Sequence, residues 1–212
     1  MKEAHTQAAP PSPGTTLPVV ESFYSIQGEG MNTGKAAWFI RLGGCDVRCP
    51  WCDSKNSWDT GLHPHKSISE IIAPIAASSA TNVVITGGEP LMHDLSILCS
   101  ALKSAGYNIF LETSGTHPLS GTFDWICVSP KRHFPPLKKV IEKADELKVV
   151  ISSADSTAWA EEMRKSVKSS CALLLQPEWD RRESTLPIII EYVKAHPQWR
   201  VSQQTHKYMN IP

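Results

Sequence analysis

The sequence predicts an α/β fold: a partial TIM-like (β/α) barrel of about six parallel strands. Two patterns carry that expectation. Short runs rich in Val, Ile, Leu and Phe alternate with segments of helical period, as right-handed strand–helix–strand crossovers require. Those runs also end in polar or glycine-bearing clusters, which a parallel barrel would bring to one face. A third observation narrows the choice. No G-x-G-x-x-G follows the first strand, and no repeat of 20–50 residues is present, which argues against a dinucleotide fold and a solenoid.

Taken in order, residues 19–26 alternate and favour β structure, predicting a strand or extended arm that runs into Gln27-Gly28-Glu29-Gly30. Residues 36–42 are an apolar run ending at Arg41 and followed by Gly43-Gly44, a buried strand that delivers the next loop. Residues 67–78 have helical spacing, with Ser67 as N-cap and Glu70 as its capping-box partner. Pro74 falls inside and predicts a kink or a break. A strand at 83–86 closes in Gly87-Gly88-Glu89-Pro90, and a helix at about 93–105 ends at Gly106. Strands follow at 107–111, closing in Glu112-Thr113-Ser114, and at 125–128, closing in Ser129-Pro130-Lys131. Helices at about 137–144, 156–168 and 183–195 then alternate with strands at 147–151, 172–175 and 199–202. The 172–175 strand closes in Gln176-Pro177, and the chain ends in a tail containing Thr205-His206-Lys207. Whether residues 55–61 add a helix is open at this stage.

One domain fits 212 residues. Residues 1–18 hold four prolines and no apolar core of a signal peptide, so they are expected to be a flexible leader before a single domain at 19–212. The 21 basic and 21 acidic residues balance, and such a chain lacks the field of a nonspecific nucleic-acid binder. No apolar run approaches the ~18–20 residues of a membrane span. Six cysteines without a secretory signal point to a reducing, cytoplasmic setting. Cys99, Cys127 and Cys171 sit in apolar stretches and are expected to be packed in the core.

The chemistry is concentrated in Gly43-Gly44-Cys45-Asp46-Val47-Arg48-Cys49-Pro50-Trp51-Cys52-Asp53. Cys45, Cys49 and Cys52 stand at C-x3-C-x2-C spacing. Thiolates so close on one loop can converge on a soft metal centre, iron–sulfur or zinc. No fourth ligand lies nearby, and three thiolates on a four-iron cubane leave one iron open to a small molecule.

With Trp51 before its third cysteine, this motif resembles the radical S-adenosylmethionine (SAM) superfamily, in which SAM chelates the open iron. Further segments come in a fixed order: Ser25-Ile26-Gln27-Gly28-Glu29-Gly30, Phe39-Ile40-Arg41-Leu42-Gly43-Gly44-Cys45, Thr86-Gly87-Gly88-Glu89-Pro90, Glu112-Thr113-Ser114-Gly115-Thr116, Ser129-Pro130-Lys131 and Gln204-Thr205-His206-Lys207. Together, over residues 19–212, they are similar to the 7-carboxy-7-deazaguanine synthase family of the queuosine and deazapurine pathway. The resemblance implies a carbon–nitrogen lyase with a 4Fe–4S cluster, SAM and Mg²⁺. A 5′-deoxyadenosyl radical would take hydrogen from C6 of 6-carboxy-5,6,7,8-tetrahydropterin, and rearrangement with loss of ammonia would give 7-carboxy-7-deazaguanine.

The same resemblance implies roles for residues. Cys45, Cys49 and Cys52 would hold three irons, and Trp51, Cys52 and Asp53 would line the adenine side of SAM. Gly87 and Gly88 would let backbone approach its methionyl end, with Glu89 or nearby backbone accepting from the ammonium. Ser114, Ser129, Pro130, Lys131, Gln176 and Pro177 would touch ribose and carboxylate. For the pterin, Gln27 with the backbone of Ile26 and Gly28 would read the amide-like edge, and Glu29 would accept from N–H donors. Arg41 would fork onto the carboxylate, Thr86 would offer a hydroxyl, and a folded tail would bring His206 and the terminal carboxylate of Pro212. Ser54, where the family usually has Thr, would ligate Mg²⁺. A homodimer and an electron-donor protein such as a flavodoxin are implied as partners. Two other readings stay open: a glycyl-radical activating enzyme, which shares the cysteine spacing, and a non-enzymatic zinc or iron–sulfur module.

Overall fold

The computed structural model describes residues 14–212. It contains one nine-stranded sheet with order β3-β1-β2-β4-β5-β6-β7-β8-β9. The strands are β1 (Thr16–Ile26), β2 (Ala36–Leu42), β3 (His65–Ser67), β4 (Asn82–Gly87), β5 (Asn108–Thr113), β6 (Trp125–Val128), β7 (Glu146–Ile151), β8 (Ala172–Pro177) and β9 (Trp199–Val201). From β2 to β9 every pairing is parallel and successive, giving seven parallel strands where about six were expected. The antiparallel pair β1–β2 and the short β3 extend one edge, so the sheet winds as a partial barrel.

The helices are α1 (Ile68–Ala76), α2 (Ser96–Ser104), α3 (Lys138–Ile141), α4 (Ser156–Arg164), α5 (Arg182–Ala195) and α6 (Thr205–Met209). Ser67 and Glu70 make the capping box. α1 runs through Pro74 without a break. The carbonyl that loses its partner is that of exposed Glu70, which water can serve. α2 begins later than expected, because Pro90–Met92 forms a 3₁₀ turn and Asp94 accepts from the Ser96 amide at 2.9 Å. The segment left open resolves into two 3₁₀ turns, Lys55–Ser57 and Thr60–Leu62.

One expected boundary is corrected. Of the leader expected over 1–18, residues 1–13 lie outside the described residues. Thr16, Leu17 and Pro18 instead pair with β3, because Leu17 and Val19 bury there, each at 1 % exposure.

Strand alternation separates two apolar regions. Ile40, Leu42, Val83, Ile85, Ile109 and Leu111 join the main core under the helices. Their neighbours Ala37, Phe39, Val84 and Phe110, with Trp125, form a smaller cluster inside the barrel. The three cysteines outside the motif are buried. Cys127 differs from a plain core thiol in facing the Glu146 carboxylate, at 3.5 Å. Ile85 is fully buried in the middle of the sheet. Ile85→Ala is expected to lower unfolding stability by about 2–5 kcal/mol in a denaturant titration. A change below the lower bound would contradict this packing.

Candidate active site

The cysteine loop is fixed by backbone bonds to the ends of its neighbours. Leu42 and Gly44 accept from the amides of Gly88 and Glu89, at 2.9 and 2.8 Å. Ser57 and Trp58 accept from Gly44 and Cys45, at 2.7 and 3.1 Å. Gly88 has a packing reason to be glycine: a Cβ there would fall onto the Gly44 carbonyl oxygen and crowd the Cys45 Cβ. Inside the loop Arg48 adopts a left-handed φ of 46°, which turns the chain between Cys45 and Cys49. Three histidines brace the loop from outside. His93 bonds the Gly43 carbonyl at 2.7 Å, His133 that of Val47 at 2.9 Å, and His117 the Asp46 carboxylate at 2.9 Å.

All three motif cysteines line one cavity of about 340 Å³. Burial raises the thiol pKa values of Cys45 and Cys49, and each also feels the neighbouring motif thiols. No three of the described His, Cys, Asp and Glu side chains gather tightly enough for a single ion. The Ser54 amide points at Cys52 Sγ, 3.4 Å away, a donor suited to a ligating sulfur.

The cavity also takes in Trp51, Asp53, Ser54, Gly88, Glu89, Ser114, Ser129, Lys131, Gln176 and Pro177. From the pterin set it takes in Ile26, Gln27, Gly28, Glu29, Arg41, Thr86, His206 and Pro212. Pro130 is buried and does not line it. Glu89 has a different occupation from the one expected. It is 1 % exposed, and its oxygens accept from Leu91 N, Thr113 Oγ1, Ser114 N and Ser114 Oγ at 2.5–3.0 Å. It therefore braces the end of β4 against the end of β5, which leaves backbone as the free acceptor there. Lys131 curls onto Ser129, its Nζ donating to the carbonyl at 2.8 Å and to Oγ at 2.6 Å. Arg41 spends one N–H on Glu21 at 2.6 Å and one on Ser54 Oγ at 3.3 Å, leaving three for a ligand.

The hairpin between β1 and β2 and the C-terminal tail close the open side of the barrel. Gly28 accepts from the Thr205 amide at 2.9 Å, and a Cβ on Gly28 would collide with His206. Lys207 pairs with Asp53 at 2.9 Å and lies 4.7 Å from the centre of the Trp179 ring. Ser25 Oγ donates to a Pro212 oxygen at 3.0 Å, which fixes the last residue at the cavity rim.

Several polar or aromatic lining residues carried no role in the sequence expectations, among them Glu112 and Gln204, quoted there only as parts of motifs, and Lys148 and Trp58. Lys148 had a signal. In β7, Leu147, Val149 and Ile151 belong to the core, so the alternate positions 148 and 150 face the lumen. Trp58 had none, and its buried indole N–H has no hydrogen-bond partner among the described residues.

Comparison with known proteins follows the same lines. The radical SAM superfamily matches residues 39–165. A 7-carboxy-7-deazaguanine synthase of Flavobacterium psychrophilum is 47 % identical over 199 residues, covering 94 % of this chain and 94 % of the relative. The synthase of Escherichia coli K12 is 36 % identical, covering 92 % and 98 %. The crystal structure of QueE from Escherichia coli superposes with a TM-score of 0.79 at 32 % identity, over 89 % of this chain and 94 % of that one.

The charges of the cavity make its acid response testable. Burial works to raise the Glu29 pKa, but Lys148 and the amide of Gln204 outweigh it and hold the carboxyl at about 2, below its ordinary 4.5. A depressed carboxyl stabilises the fold fully above its unfolded pKa and loses that contribution as pH falls through the folded one. Between pH 4.5 and about 2 the wild type should therefore lose stability that Glu29→Gln does not lose. Identical acid limbs of Tm against pH in the two proteins would count against this assignment.

Proposed function

The chain belongs to the 7-carboxy-7-deazaguanine synthase family of the radical SAM superfamily, and on that premise we propose how its residues divide the work. It is a radical SAM lyase that converts 6-carboxy-5,6,7,8-tetrahydropterin to 7-carboxy-7-deazaguanine with loss of ammonia. The observation that carries the proposal is the meeting of the cysteine loop, the Gly-Gly strand end, the hairpin and the tail on one cavity.

When bound, the reduced cluster with SAM supplies the 5′-deoxyadenosyl radical that takes hydrogen from C6 of the pterin. The chain's own groups hold and orient. Cys45, Cys49 and Cys52 would carry the cluster. The Gly88 and Glu89 backbone, Ser129, Lys131 and Gln176 offer donors and acceptors to SAM, with Asp53 on the adenine side. Gln27 and Glu29 face the donor and acceptor edge of the pterin, and Arg41 and His206 face its carboxylate. Thr86 and the Pro212 carboxylate complete the substrate pocket. α6 and the hairpin exclude water from the radical.

Mg²⁺ belongs to the same proposal. The Ser54 hydroxyl and the adjacent Asp53 carboxylate are hard oxygen donors, which suits the ion. Burial pushes the Asp53 pKa up, but Lys207 and Gln204 outweigh it and hold the carboxyl below its usual range. Arg41 now donates to Ser54 Oγ, so metal binding would go with transfer of its guanidinium to the substrate carboxylate. Ser54→Ala should lower turnover at subsaturating Mg²⁺ while leaving four irons per chain. Unchanged turnover across a Mg²⁺ titration would remove the site.

A cytoplasmic homodimer reduced by a flavodoxin-type donor fits this reading, and all six cysteines are free thiols. A glycyl-radical activating enzyme needs an open groove for a protein substrate, whereas here the tail spans the cavity mouth. The test is an anaerobic assay with SAM, a chemical reductant and the carboxylated tetrahydropterin. Wild type should release 5′-deoxyadenosine and a product with deazapurine absorption, and Cys49→Ala should release neither. Product from Cys49→Ala, or none from the iron-replete wild type, would overturn the assignment.

A further inference from the structure

We infer that Lys148 is a positioning residue of this enzyme, holding Glu29 and Glu112 side by side as paired acceptors for the N–H edge of the pterin. The inference rests on the proposed reaction and adds a residue to it.

The side chain of Lys148 is 4 % exposed. Its Nζ donates to Glu29 Oε2 at 2.6 Å and to Glu112 Oε2 at 2.9 Å, its only acceptors among the described residues. The remaining oxygen of each carboxylate meets an amide. Gln204 Nε2 donates to Glu29 Oε1 at 2.8 Å, and Gln27 Nε2 to Glu112 Oε1 at 3.3 Å. The Glu29 amide donates back to Gln27 Oε1 at 3.1 Å. One ammonium thus links the hairpin, β5, β7 and the tail in a single polar layer.

This layer lines the substrate cavity, next to the apolar cluster of Phe39, Val84 and Phe110. An ammonium so placed gives up most of its hydration and persists only where carboxylates replace it. Two carboxylates this close repel each other unless a cation lies between them. Counting full charges, Lys148, Glu29 and Glu112 sum to one negative, which suits a ligand presenting N–H donors rather than acceptors. Further groups act on the layer from nearby: the Cys127 thiol of β6 lies against Glu112 and Lys148, and Lys131 adds a second cation. Glu146 is held by the Met31 amide and the Trp125 indole, and His206 lies on the tail side. Burial raises the Glu112 pKa while Lys148 lowers it, so removing the ammonium leaves Glu112 to take up a proton and cease to be a pure acceptor.

The experiment compares wild type, Lys148→Met, Lys148→Arg and the double variant Lys148→Met/Glu112→Gln, each reconstituted anaerobically and matched for iron content and circular dichroism. Wild-type turnover of the pterin is the control. If it fails, the proposed reaction fails, independently of Lys148. If it holds, Lys148→Met should lose about 10²-fold or more in kcat/KM for the pterin, in line with truncation of a buried charged partner. The acid limb of its kcat/KM–pH profile should move up by about one unit or more. Lys148→Arg should recover part of the activity and most of the profile. If Lys148→Met does not fold, the double variant, with one of its two unpaired carboxylates removed, should fold and show an acid limb shifted up through Glu29 alone. A Lys148→Met profile superimposable on wild type would overturn the inference, as would Lys148→Arg no better than Met, or a folded double variant whose limb matches wild type.

Discussion

The rest of the structure depends on the seam between the cysteine loop and the end of β4. Parallel pairing carries Leu42 to Gly87, and beyond it the backbone bonds from Gly88 to Leu42 and from Glu89 to Gly44 lock the two loops together. The seam tolerates no side chain at position 88. It fixes the first motif cysteine against a rigid strand end rather than leaving three thiols on a free loop. Cluster geometry is then a property of the sheet, and catalytic sites on such elements are held more tightly than sites on loops alone.

Glu89 continues that logic sideways. Three of its four hydrogen bonds run from the end of β4 to the Thr113-Ser114 end of β5, and Ser129 N donates to Thr113 O one strand further on. Each strand end is thereby tied to the next, which gives the cavity a wall of defined shape. The open side of the incomplete barrel is closed differently, by charge. Lys148, Glu29, Glu112, Gln27 and Gln204 join the hairpin and the tail to the sheet through side chains alone. The strand ends beside the cysteine loop are tied largely by backbone, and the open side of the barrel by side chains.

Much of this was legible in the residues. The alternation of apolar runs and helical segments yields the parallel order of β2 to β9, and the glycine pairs mark the strand ends that meet. Pattern reasoning failed where tertiary contacts decided. Leu17 has no strand signal of its own and becomes β structure because β3 lies beside it. Pro74 reads as a breaker, yet the bond it deletes lies on an exposed turn. Glu89 looks like a ligand group by its place in Gly-Gly-Glu-Pro, and only the fold reveals Thr113 and Ser114 around it. Lys148 was hidden by its company: between Leu147 and Val149 it reads as an interruption of a strand, whereas the period of two turns it inward toward two carboxylates distant in sequence.

The central claim is a four-iron cluster on Cys45, Cys49 and Cys52 with one iron free to bind SAM. Electron paramagnetic resonance of the reconstituted, dithionite-reduced protein tests it most directly, with and without SAM. The account requires a 4Fe–4S⁺ signal, with four irons per chain, that changes shape when SAM is added. A signal indifferent to SAM, or a colourless zinc protein with no signal, would contradict it.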